Sequence, residues 1–168
     1  KSGQGVYKMS GMSPEEFPRL PGIPEGGAVT IPIDQLRSMV HRTIYAVSTD
    51  ETRPALNGIL WQSNGEKMHM VATDGHRLAR VSVADNRLAG LKNELIVPPK
   101  ALSLVLKMAT DDTAEVAVMF GEKNIVFKVG DVIITSRLIE GPYPNYNQVI
   151  PKGNDKFLTV DGATLAAA

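Results

Sequence analysis

Short apolar stretches divided by tight polar turns constrain this chain most, because strands joined by so few residues must pair antiparallel. Residues 55–62 and 67–72 are split by Ser63-Asn64-Gly65-Glu66, a hairpin turn. A third stretch, 77–83, follows Asp74-Gly75, and 95–97 is a short strand of Leu95-Ile96-Val97. Residues 114–120, 124–128 and 132–138 are joined by Gly121-Glu122-Lys123 and Gly130-Asp131. Two segments break this pattern. Residues 33–47 place Leu36, Met39, Val40, Ile44 and Val47 at helical spacing behind Pro32. Residues 100–108 follow Pro98-Pro99 and turn Leu102, Val105 and Leu106 to one side. Helix, strands, helix, strands is an α+β plan with two helices packed on antiparallel sheets.

Composition divides the chain into three. Residues 1–24 are rich in Gly, Ser and Pro and end in Phe17-Pro18-Arg19-Leu20-Pro21-Gly22-Ile23-Pro24, which reads as an extended linker. Residues 25–150 hold the two helices and the strands as one domain. Residues 151–168 restart with strand-like Phe157-Leu158-Thr159-Val160 and helix-like 163–168. Ala28-Val29-Thr30-Ile31 opens the central unit in the same way about 130 residues earlier, as a repeated domain would.

Hydrophobic residues are 43% of the 168, enough for a core without crosslinks. With no cysteine there is no disulfide scaffold, thiolate zinc site or cysteine nucleophile. That composition fits a reducing cytoplasm. No apolar run approaches the ~20 residues that span a bilayer, so no membrane role is expected. Eighteen basic and eighteen acidic residues cancel, which argues against a nucleic-acid binder unless the charge is segregated. Segregation is visible. Arg37, His41, Arg42, Lys100 and Lys107 fall on the polar faces of the two helices, whereas Asp50, Glu51, Asp111, Asp112, Glu122 and Asp131 fall in loops. An ordinary solvated helix face is the simpler account of the same cations.

Val71-Ala72-Thr73-Asp74-Gly75-His76-Arg77-Leu78-Ala79 stands out. A strand–turn–strand accounts for Asp74 and Gly75 but not for His76 and Arg77. A hydrolase reading would make His76 a base oriented by Asp74, yet no nucleophile context accompanies them. Glu140-Gly141-Pro142-Tyr143-Pro144-Asn145-Tyr146 is either a loop packed by its tyrosines or a surface suited to a peptide. His41, His69 and His76 lack metal-ligand spacing, so no metal is expected, and no glycine-rich phosphate loop or other cofactor motif is present.

Together these runs resemble the bacterial sliding clamp family, the beta subunit of DNA polymerase III, and its central domain above all. Thr73-Asp74-Gly75-His76-Arg77-Leu78-Ala79, Leu56-Asn57-Gly58, Leu95-Ile96-Val97-Pro98 with Lys100, and Gly141-Pro142-Tyr143-Pro144-Asn145-Tyr146 followed by Val149-Ile150-Pro151 carry the likeness in order. Tyr7-Lys8-Met9 through Phe17-Pro18 is similar to the end of the family's first domain, and Phe157 to Ala168 to the start of its third.

The resemblance implies a repeated domain of a ring, closed as a homodimer when full length, that encircles duplex DNA and slides without reading bases. It implies a non-catalytic processivity factor with helices lining the hole. Arg37, His41, Arg42, Arg53, Lys100 and Lys107 would face DNA. It also implies a peptide pocket, shared by the second and third domains so that this chain carries about half of it, that tethers the replicative polymerase catalytic subunit, the clamp loader, other polymerases and repair proteins. By position, Leu56, Thr73, Gly75, His76, Arg77, Leu78, Pro144, Gln148 and Val149 would line it. Gln148 stands where many relatives carry arginine, which puts one charge-assisted contact in question. The alternative is a stand-alone peptide-binding module without a DNA role.

Overall fold

The computed structural model describes residues 3, 5–17, 22–24, 27–84, 94–110 and 113–168. The 18–21 part of the expected linker, the start of the central domain at 25–26 and the Asp111-Asp112 turn lie outside the described residues.

Among the described residues, eight strands and two helices build the central unit in the order β1 (Val29–Pro32), α1 (Ile33–His41), β2 (Ile59–Ser63), β3 (Lys67–Thr73), β4 (Leu78–Ala84), β5 (Leu95–Val97), α2 (Pro99–Met108), β6 (Glu115–Phe120), β7 (Asn124–Val129) and β8 (Val132–Arg137). A short helix, α3 (Gly162–Ala167), follows. The strands form two antiparallel four-stranded sheets, ordered β1-β6-β7-β8 and β4-β3-β2-β5. This is the α+β arrangement that the alternating stretches required.

Side-chain alternation decides which face of each strand is buried. On β2, Ile59 and Trp61 point into the main core, and on β3 Met68, Met70 and Ala72 do so. The first sheet answers with Val116, Val118, Ile125 and Phe127. Trp61 and Phe127 meet edge to face across the two sheets, with centroids 6.2 Å apart and planes at 72°. That is a favourable geometry for the ring quadrupoles. Ile33, Leu36, Met39 and Val40 of α1 and Ala101, Leu102 and Val105 of α2 complete this core. The two helices lie beside each other.

The second sheet is buried on its other face as well. Leu60, Val71 and Ile96 point away from the main core and form a smaller cluster with Tyr146, joined by Tyr143, Ile139 and Ile150. Residues 139–150 therefore cover the outer face of β3-β2-β5, and the Ile139 amide ties this segment to the Ile96 carbonyl at 2.9 Å.

Three elements differ from expectation. The first helix stops at His41 instead of running to residue 47. The buried Thr43 hydroxyl donates to the Met39 carbonyl at 2.8 Å, capping the helix end, and a separate 3-10 turn, Ile44–Ala46, follows. The strand expected from residue 55 starts at Ile59, because Pro54 fixes its own φ and opens a 3-10 turn, Pro54–Asn57. Residues 157–160 form no strand and are exposed, since no described strand pairs with them, although Asp161 caps α3 through the Thr164 amide at 2.9 Å.

Gly58 sits where sheet, turn and closing segment converge. A Cβ there would come within 2.5 Å of Ile96 Cγ2 and 2.8 Å of Ile139 Cδ1. Gly58→Ala is expected to lower unfolding stability by about 1–3 kcal/mol through overpacking, read as a shifted denaturant midpoint at unchanged slope. An unshifted midpoint would mean that the closing segment does not pack as described.

Candidate functional site

The turn from β3 to β4 is held by its own polar groups. Gly75 adopts φ +93°, a conformation that side chains with a Cβ rarely adopt. The Asp74 carboxylate accepts from the amides of His76 at 2.9 Å and Arg77 at 3.0 Å, and from Arg77 Nε at 3.0 Å. The Thr73 hydroxyl donates to the Arg77 carbonyl at 2.7 Å and accepts from the Gly75 amide at 3.1 Å. Backbone bonds and Arg77 thus occupy Asp74, and the carboxylate does not orient the His76 ring. The acid/base pairing that a hydrolase would need is not made.

A cleft of ≈ 530 Å³ opens beside this turn. Its walls come from three places. The turn supplies Thr73, Gly75, His76, Arg77 and Leu78; the 3-10 turn before β2 supplies Arg53 and Leu56; the closing segment supplies Pro144, Asn145, Tyr146 and Val149. Leu56 is buried and Val149 is 68% exposed, so the cleft runs from an apolar floor to an open apolar rim. Arg77 lies over the Tyr45 ring, 6.0 Å from its centroid, which holds the guanidinium at the edge.

Eight of the nine residues expected in a peptide pocket come together here: Leu56, Thr73, Gly75, His76, Arg77, Leu78, Pro144 and Val149. Gln148 does not line the cleft; it is an exposed residue of the Tyr146–Gln148 turn. Arg53 needs a correction. It was expected to face DNA, but the Pro54–Asn57 turn carries it to the cleft, where Asp50 binds its Nε at 2.9 Å and its Nη2 donates to the Asp74 carbonyl at 3.3 Å. Asn145 and Tyr146 also line the cleft; they were not among the nine pocket residues, although the 140–146 run that holds them had been read as suited to a peptide.

The remaining cations expected to face DNA sit on or just beyond the helices. His41, Arg42, Lys100 and Lys107 are exposed. Arg37 is half-buried and pairs with Asp34 at 2.8 Å, which offsets its charge. On the opposite, outer face, His69 is buried, with Nδ1 2.7 Å from Ser82 Oγ and 3.4 Å from Arg80 Nη2. Burial, then Arg80, then Lys67 lower its pKa. Among the described residues no group of three or more His, Cys, Asp or Glu could hold a metal, and no helix is long and apolar enough to cross a membrane.

Asp74 has its pKa lowered from 3.8 to about 2, chiefly by the Arg77 and His76 amides. The folded turn binds the charged carboxylate. Its contribution is therefore fully present above about pH 4 and is lost as pH falls through about 2. The Asp74 carboxyl carbon is expected to titrate near 2 by NMR; a midpoint near 3.8 would show that the turn is not held in this way.

Residues 30–145 match the family model described as the DNA polymerase III beta subunit, central domain. The chain is 34% identical over 160 residues to the beta sliding clamp of Staphylococcus aureus, which covers 95% of this chain and 42% of that protein. It superposes on the crystal structure of the Bacillus subtilis DNA polymerase sliding clamp with a TM-score of 0.78 at 34% identity, over 90% of this chain and 40% of that one. It matches a sliding clamp from Bartonella birtlesii, solved bound to griselimycin, with a TM-score of 0.75 at 35% identity, over 84% of this chain and 39% of that one. The chain thus spans less than half the length of these relatives. With two antiparallel sheets in the family's arrangement and a family match over most of its length, the chain belongs to the bacterial DNA polymerase III beta sliding clamp family.

Proposed function

We propose that the chain works as part of a processivity factor, a ring that encircles duplex DNA in the cytoplasm and tethers polymerases to it. The observation that carries this reading is the placement of two unlike surfaces on opposite sides of one sheet. The β4-β3-β2-β5 sheet turns one face to the core that holds α1 and α2, and the other to the closing segment that walls the cleft. Cations on the helices can meet phosphates while the cleft stays open to a partner.

In this reading His41, Arg42, Lys100 and Lys107 make loose phosphate contacts. Long, exposed, flexible side chains suit a protein that must not stop at any base sequence. Arg37 contributes less because Asp34 already pairs with it. The ring is a homodimer of longer subunits, of which residues 25–150 form the central domain, 1–24 the end of the first and 151–168 the start of the third. Exposed Phe157 and Leu158 fit a segment that packs within such a neighbouring domain.

The cleft is the docking half of the function. Leu56, Leu78 and Val149 receive apolar anchors, and Arg53, His76 and Arg77 offer donors at the edge. The replicative polymerase catalytic subunit, the clamp loader, other polymerases and repair proteins would compete for it through short peptides. Gln148 is exposed beside Val149 at the open rim, so a neutral amide stands at that position where many relatives would offer an arginine. The relative solved with griselimycin provides a probe.

His76→Ala with Arg77→Ala is expected to weaken griselimycin binding about tenfold, or ~1.4 kcal/mol, by calorimetry. The unfolding midpoint should hardly move, because Asp74 braces the turn through backbone amides that survive both changes. Unchanged affinity would remove the cleft as the docking site.

A further inference from the structure

A second depression, of ≈ 380 Å³, lies against the same closing segment. Pro144, Asn145 and Tyr146 line both it and the cleft described above, so one strip of chain separates the two. Their chemistry differs. The first has an apolar floor and two arginines, Arg53 and Arg77, at its edge. The second is lined by Gln62, Asn147 and Glu94.

A chain of hydrogen bonds orders this second groove. Tyr146 donates its hydroxyl to Gln62 Oε1 at 2.7 Å, and Gln62 Nε2 donates to Glu94 Oε1 at 2.8 Å. Both ends of the Gln62 amide are thereby used. Glu94 is held at an exposed position, and among the described residues no cation pairs with it. Arg80 lies over the Tyr146 ring at 5.7 Å but lines neither groove.

We propose that a peptide whose apolar anchors fill the first cleft continues across the Pro144–Asn145–Tyr146 strip and sets a basic side chain against Glu94. The inference rests on the docking reading given above. The shared wall makes the second groove reachable by a few further residues at about 3.3 Å each. The charges then give the peptide a direction. At the first cleft the Asp50 and Asp74 carboxylates are already engaged by Arg53 and Arg77, whereas Glu94 can accept a cation at the second.

The test uses the full-length protein and fluorescent peptides carrying three apolar side chains as anchors. The plain peptide is compared with versions lengthened at either end by Gly-Gly-Arg or by Gly-Gly-Glu. Arginine at one end is expected to tighten binding about three- to fivefold at low salt, glutamate at that end to give no gain, and the gain to fade as salt rises. In Glu94→Gln, which keeps an acceptor for Gln62, the ratio of lengthened to plain affinity should return to about one. If the plain peptide binds but arginine helps at neither end, or helps equally in Glu94→Gln, the second groove is not part of the site. If the plain peptide fails to bind, the docking reading falls and the extension falls with it.

Discussion

The architecture depends on one constraint: β2 and β3 are buried on both faces. Every residue from Met68 to Ala72 is buried, which a strand with one wet face would not allow. The inner face is covered by the other sheet and the two helices. Among the described residues the outer face is covered chiefly by residues 139–150, with Ala55 and Leu78 beside them, and that segment must satisfy its polar groups while it buries Leu60, Val71 and Ile96. Tyr146 meets both demands: its ring packs on the apolar cluster and its hydroxyl reaches Gln62. Tyr143 lies alongside, and burial raises its pKa to about 12, so it remains a neutral packing group at any physiological pH. Because the segment covers the sheet incompletely near the β3–β4 turn, a cleft is left there. The proposed docking site is thus a by-product of how the outer face is covered.

Charge follows the same division. A net charge of zero gave little reason to expect contact with nucleic acid. Yet the acids close to the cleft are engaged locally: Asp50 holds Arg53, and Asp74 holds the β3–β4 turn and Arg77. Asp50, like Asp74, has its pKa lowered to about 2, first by the Thr52 hydroxyl and amide and then by Arg53. These exposed, solvent-screened pairs add little to stability. Their effect is to fix arginines at the rim of the cleft, while His41, Arg42, Lys100 and Lys107 stay exposed.

Much of this was legible in the residues. The Ser63-Asn64-Gly65-Glu66 turn placed the β2–β3 hairpin, and Pro98-Pro99 placed the start of α2 within one residue. The cleft was legible mainly through resemblance, because its walls come from three distant segments that no spacing rule connects. What escaped has physical causes. The end of α1 depends on a hydroxyl that folds back on the helix, and apolar spacing continues past it. Arg53 was grouped with the helix-face cations, but it immediately precedes the Pro54–Asn57 turn and lies at the cleft. Residues 157–160 have a strand's composition, but a strand forms only where another edge receives it.

The central claim is that the protein is held on DNA by enclosure, with phosphate contacts too weak to anchor it. The direct measurement is retention of the full-length protein on circular duplex DNA before and after a single cut, at fixed moderate salt. The account predicts stable retention on the circle and rapid loss from the cut, open-ended molecule. Equal retention on both would mean that the helix-face cations grip the duplex, and enclosure would be contradicted.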